Sequence, residues 1–202
     1  MMAGSNSLFG IILMEVTSQV PTKGALYTEQ PVTVIVPLEP GTIETENLYL
    51  RPLRIPHKSI EETEAHIASK SFQTPDASGA CGRQFHFAII SAEDTTQRVI
   101  GTVGVNSLFP APSIGYGLHP DVWGKGYASE AVEGVIDAWW KLDRTDRIQT
   151  GPESGKEKLF AACNKGNLGS MKVLQRNGFK IYKEMYIEGD SVALFEIQRP
   201  EN

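Results

Sequence analysis

Residues Trp123-Gly124-Lys125-Gly126-Tyr127-Ala128-Ser129 have the composition of a phosphate cradle. Gly124 and Gly126 can take backbone angles closed to other residues and leave room for a close approach. The residues after them read as a helix. Ala128, Ala131, Val132, Val135, Ile136, Trp139 and Leu142 fall at helical spacing, with Glu130, Glu133, Asp137 and Lys141 on the other side. The first N–H groups of a helix have no internal partner, and through the macrodipole they carry about half a positive charge. A glycine turn running into such a terminus makes a concave nest for phosphate oxygens. A pyrophosphate-bearing ligand is expected here. The same two glycines would also serve a bare strand-to-helix turn, so that reading stays open.

The segment is not Gly-x-x-x-x-Gly-Lys-Ser/Thr, because Gly126 follows Lys125. Nor is it a Gly-x-Gly-x-x-Gly fingerprint, because Gly115 and Gly117 lie inside a strand-like run without a third glycine in register. No His/Cys cluster has metal-ligand spacing. Cys163 has no histidine beside it in sequence and reads as a small core residue. His86 alternates into a strand as a packed or solvated histidine, and Trp139-Trp140 reads as helix packing.

These residues need elements to position them. Ile114 to Leu118 is a short apolar and aromatic strand leading into the cradle, and Pro120 ends it. Upstream, Leu48 to Arg54 alternates as a first strand. Ser59 with Glu62 forms a capping box opening a helix to about Phe72. Phe85 to Ser91 and Arg98 to Leu108 are strands joined by the polar connection Ala92 to Gln97. Downstream, Asp143 to Glu157 is a polar loop and Leu159 to Cys163 a buried strand. Asn167 caps a helix reaching Asn177, and Gly178 stops it. Phe179 to Tyr186 and Ser191 to Gln198 close the chain as two strands around Glu188-Gly189-Asp190.

The chain has 202 residues, 41% of them apolar, with a net charge of −5. That suits one globular domain with a sizeable core, read as residues 47–200 behind an extension of residues 1–46. Without clustered Lys and Arg, a nucleic-acid surface is not expected. The apolar run Leu8 to Val16 follows no basic residue and is too short to span a membrane. It is read as packing on the domain or on a partner chain, or as partly disordered. A strand at Val32 to Val36 is allowed between the flanking prolines. Two cysteines make no disulfide framework, so a reduced, cytoplasmic setting is expected.

Two signatures resemble one family. Trp123 to Ala128 is similar to the acetyl-coenzyme A loop Gln/Arg-x-x-Gly-x-Gly/Ala of the GNAT N-acetyltransferases, with Trp123 in the Gln/Arg place. Asn167, Ser170, Val173, Leu174, Gly178 and Phe179 resemble the second signature. Gly-Tyr-Gly-Leu-His-Pro before the loop looks most like the branch that acetylates ribosomal-protein N-termini.

The resemblance implies an α/β (α+β) GNAT-type fold, a central, mostly antiparallel twisted sheet of about six or seven strands with helices on both faces. It implies acetyl-coenzyme A as cofactor and direct transfer of acetyl to a primary amine, on a small molecule or a protein N-terminus; a homodimer is a further expectation. Coenzyme A contacts would fall to Leu118, His119, Trp123, Gly124, Lys125, Gly126, Tyr127, Ala128, Ser129, Asn164 and Asn167. Many members carry a tyrosine acid seven residues after the asparagine; Leu174 stands there, so Ser170 is the nearest hydroxyl candidate. It could equally cap the helix or touch the pantetheine arm. An amine attacks only when neutral, so a base must take its proton. His119, Glu130, Glu184, Glu188 and ordered water are the candidates. A coenzyme A-binding module without turnover is the alternative.

Overall fold

A computed structural model of the chain describes residues 26–53, 71–145, 156–187 and 189–201. The helix expected from Ser59, the Leu8 to Val16 run, most of the 143–157 loop and Glu188 lie outside the described residues. The elements run β1 (Ile43–Glu44), β2 (Leu48–Pro52), β3 (Phe85–Ser91), β4 (Val99–Ser107), β5 (Ser113–Leu118), α1 (Tyr127–Trp140), β6 (Lys158–Asn164), α2 (Leu168–Arg176), β7 (Lys180–Ile187) and β8 (Asp190–Gln198). They form one eight-stranded sheet in the order β1-β2-β3-β4-β5-β6-β8-β7. Every neighbouring pair is antiparallel except β5 and β6. The strand beyond the expected six or seven is the two-residue β1, too short to leave a period-two pattern in the sequence.

The strands are buried on alternating sides. Along β6, Leu159, Ala161 and Cys163 enter the larger core cluster, while Phe160 and Ala162 enter a smaller one. α1 adds Ala131, Val132, Val135, Ile136, Trp139 and Trp140 to the larger cluster, and α2 adds Leu174. The helix periodicity seen in the sequence is therefore the packing face of α1. Its C-terminal end is closed by Arg144, whose guanidinium donates to the carbonyls of Trp139 at 3.0 Å and Leu142 at 2.6 Å. Arg144 is held in turn by Glu157 at 3.0 Å, with both side chains largely buried. A cation on the last carbonyls of a helix also complements its macrodipole.

Residues 26–46 lie against the sheet. Val34 and Val36 enter the larger core, and Tyr27 stacks on Phe160 with ring centroids 5.1 Å apart. The run Val32 to Val36 makes one isolated bridge, Val34 to Arg144, rather than a strand. Pro31 and Pro37 supply no N–H for a ladder, and Val36 gives its N–H to the Asp76 carboxylate at 2.9 Å instead. Asp76 also accepts from the Ser78 and Ala80 amides. Burial pushes its carboxyl up, but these bonds outweigh it and hold the group below the usual range.

Candidate active site

β5 and β6 share only the pair Ser113–Phe160. Parallel strands that pair at one position and then stop leave a gap between their C-terminal halves. On the β4 side the ladder continues from Ile114 to Leu118, and the His119 N–H reaches the Ile100 carbonyl at 2.8 Å. Backbone polar groups alternate sides along a strand, so those of Leu118 point the other way, toward the gap. The Leu118 carbonyl is taken by the Trp123 indole N–H at 2.9 Å. The Leu118 N–H is thus a backbone donor aimed between the strands at the C-terminal end of β5.

After β5 a single 3₁₀ turn, Pro120–Val122, swings the chain toward α1. His119 belongs to this turn. Its Nδ1 accepts the Asp121 N–H at 3.3 Å and lies 3.2 Å from the Asp121 carboxylate. Gly124 and Gly126 then adopt φ values of 78° and 86°. A Cβ on either would meet no protein atom within 4 Å. The left-handed backbone, not crowding, selects glycine at both positions, and the space over them is open. Gly126 is the N-cap of α1 and provides no side-chain cap. The amides of Tyr127, Ala128 and Ser129 therefore open the helix without a capping side chain, while the Glu130 N–H returns to the Gly126 carbonyl at 3.2 Å. Lys125 is exposed beside them.

An acidic residue in a first turn beside a phosphate site would be repulsive. Glu130 is turned out of it: its carboxylate takes the Thr45 hydroxyl at 2.5 Å, the Asn47 N–H at 2.6 Å and the Asn47 side-chain amide at 3.1 Å. Burial pushes this carboxyl up, and the bonds from Thr45 and Asn47 more than reverse it. The sequence offered Glu130 as a base; the structure makes it a clasp between α1 and the β1–β2 turn. Glu184 is likewise committed, in an ion pair with Lys165 at 2.7 Å.

On the other side of the gap, β6 ends at Asn164, whose Oδ1 accepts the Gly166 N–H at 2.7 Å and tightens the turn. Asn167 caps α2 by taking the Ser170 N–H on Oδ1 at 3.0 Å. Asn164 and Asn167 are thus bound into local turns, and Ser170 is buried in the first turn of α2. The Cys163 thiol is buried and donates to the Asn164 carbonyl at 3.2 Å. Burial pushes it up to about 11, so it is no nucleophile at neutral pH. His86 is buried in β3, with Gly104 leaving the space for its ring.

One residue had not been singled out in the sequence. Tyr116, on the helix-facing side of β5, spans the gap and donates its hydroxyl to the Ser170 carbonyl at 3.0 Å. The available signal was its register with Ile114 and Leu118 in the strand entering the loop. Two open clefts of the described surface lie beside Arg144 and Arg199 and along Glu133 and Asp137, away from this gap. The site is a backbone nest rather than a deep pocket. Among the described residues, no group of three acidic, His or Cys side chains could hold a metal. No helix there is long and apolar enough to cross a membrane.

An acetyltransferase (GNAT) domain family matches residues 44–180. The chain belongs to the GNAT family. The match covers both the open N-terminus of α1 and all of α2, so both signatures fall inside it. Among curated relatives, an uncharacterized N-acetyltransferase p20 of Bacillus licheniformis is 40% identical over 75 residues, 36% of this chain and 41% of its own length. A probable N-acetyltransferase YjcK of Bacillus subtilis is 34% identical over 100 residues, 48% of each chain. These matches span less than half the length of those relatives. An acetyltransferase structure from Agrobacterium tumefaciens superposes with a TM-score of 0.53 at 19% identity, over 81% of this chain and 98% of that one, which establishes the fold.

Proposed function

We propose that the chain transfers an acetyl group from acetyl-coenzyme A to a primary amine, directly, in a ternary complex. The observation that carries this is the juxtaposition of an uncapped helix N-terminus at Gly126 with the gap between β5 and β6. The open space over Gly124 and Gly126 fits a diphosphate approaching main-chain nitrogens. Coenzyme A, when bound, supplies an activated thioester.

The chain's own residues do the rest. The amides from Gly124 to Ser129 bind the diphosphate, with Lys125 adding charge. Trp123 replaces the side-chain donor common in the family and spends its N–H on fixing the loop to Leu118. The Leu118 N–H, aimed into the gap, is placed to stabilise the oxyanion that develops on the thioester carbonyl. Ser170 supplies the hydroxyl nearest the departing sulfur. His119, Glu130 and Glu184 each hold a neighbour in place. Proton removal from the amine is assigned to water held by backbone carbonyls, with Glu188, outside the described residues, as the other candidate.

The test is amine-dependent release of free thiol from acetyl-coenzyme A across a panel of amines and N-terminal peptides. Thiol release no faster than hydrolysis with every acceptor would overturn transfer. Those same prior commitments of the three basic or acidic candidates favour a second reading, coenzyme A binding without turnover. It predicts ligand stabilisation that survives Ser170→Ala with no catalysis in either form.

A further inference from the structure

The gap between β5 and β6 begins after Ser113–Phe160, where the Phe160 N–H reaches the Pro112 carbonyl at 2.9 Å. Three residues further along β5, about 10 Å at strand rise, the two sides meet again, through a side chain. There the Tyr116 hydroxyl donates to the Ser170 carbonyl. Ser170 is thereby held on both flanks of its backbone. Its N–H goes to Asn167 Oδ1 at 3.0 Å, and its C=O accepts from Tyr116 at 3.0 Å. A carbonyl has two lone pairs, so this bond adds to the helical one from four residues ahead. The Tyr116 ring packs on the larger core, which fixes the hydroxyl from behind.

From this geometry we infer that Tyr116 is a positioning residue: a strut that sets the width of the β5–β6 gap and fixes the Ser170 hydroxyl within it. This rests on the reading of Ser170 as the donor at the sulfur end. The tyrosine is not the donor itself, because its proton is already committed to the Ser170 carbonyl. Burial also pushes its hydroxyl further above a thiol, so giving that proton to a thiolate would be uphill. A clamp of this kind matters because a displacement of about 1 Å in a reacting group can lower a rate by about a hundredfold.

The experiment compares Tyr116→Phe, Ser170→Ala and the double variant in the full chain. Tyr116→Phe keeps the ring and removes the hydroxyl. It is expected to lower kcat about tenfold, with KM for acetyl-coenzyme A changed less than about twofold. Ser170→Ala should cost about a hundredfold, and the double variant should be no slower than Ser170→Ala, since two groups acting as one unit are not additive. Amide hydrogen exchange gives a readout that needs no turnover. Tyr116→Phe should speed exchange at residues 169–172 and leave residues 131–140 unchanged. Asn167→Ala, which frees the same serine from its other flank, should speed the same amides. Wild-type turnover in Tyr116→Phe, or an additive double variant, overturns the strut. If the unaltered chain acetylates nothing, transfer itself fails and exchange decides this inference alone: unchanged exchange at residues 169–172 overturns it, and faster exchange there supports it.

Discussion

The two described helices begin in opposite ways. α1 starts at Gly126, left-handed and without a side-chain cap, under open space. α2 starts at Asn167, whose side-chain oxygen takes the Ser170 N–H, while the Tyr116 hydroxyl donates to the Ser170 carbonyl and the Cys163 thiol lies 3.7 Å from the Asn167 carbonyl. Every helix start carries orphan N–H groups. One start has been satisfied from within the protein, and the other has been kept bare. Anion affinity at a helix N-terminus thus depends on what the chain withholds as much as on the dipole.

The strongest way to break this contrast is to close the bare terminus. Gly126→Asp places a Cβ on a left-handed backbone and a carboxylate beside the diphosphate. Thermal shift should then show loss of the roughly 2.7 kcal/mol of stabilisation that coenzyme A gives at a hundredfold excess over Kd. Retained stabilisation would mean that the ligand does not use this terminus.

The closed terminus should be sensitive to alkali instead. Burial pushes the Cys163 thiol from 9.0 to about 11 and raises the Tyr116 hydroxyl as well. These groups are neutral when protonated, and their folded values lie above their unfolded ones. Their stabilisation is complete below about pH 9 and is lost as pH rises, through about 11 for Cys163. Each group contributes a slope of up to about 1.4 kcal/mol per pH unit. Urea melts between pH 8 and 11 should show the decline, and Cys163→Ala should make it shallower.

Opening the closed terminus is a smaller change. Asn167→Ala removes a cap worth about 1 kcal/mol, readable as a lower Tm. Coenzyme A stabilisation should persist if Asn167 is a cap alone, and its loss would assign the side chain to the ligand. Smallest is Trp123→Phe, which deletes the bond to the exposed Leu118 carbonyl. It should cost up to about 1 kcal/mol of stability while the ligand still binds.

The contrast was partly legible in the sequence. Gly124 and Gly126 signal the bare start because a positive φ leaves few other choices, and Asn167 signals the capped one because a short side-chain oxygen fits that role. The strands from Phe85 onward were legible for a similar local reason: alternation and turn residues report the pleat directly. Tyr116 was not, because a tyrosine in an alternating strand looks like core until its partner 54 residues away is known. Glu130 misled for the same reason. A carboxylate near a reactive loop suggests a base, and only the fold reveals that Thr45 and Asn47 already occupy it. The segment at Val32 to Val36 had strand-like residues, but which partners it meets is decided by Asp76, which accepts its Val36 N–H, and by the bridge to Arg144, far away in sequence.

The Thr45–Asn47 turn works as electrostatic insulation. It draws the negative charge of Glu130 sideways, away from the helix end proposed to receive two phosphates. A Thr45→Val, Asn47→Ala variant would keep Val34 and Val36 in the core, and α1 with its glycines, yet remove the two side chains that hold that carboxylate. Such a variant should hold coenzyme A more weakly while its far-ultraviolet circular dichroism still reports a folded sheet, so a short turn ahead of the first long strand would tune the charge at the far end of a helix.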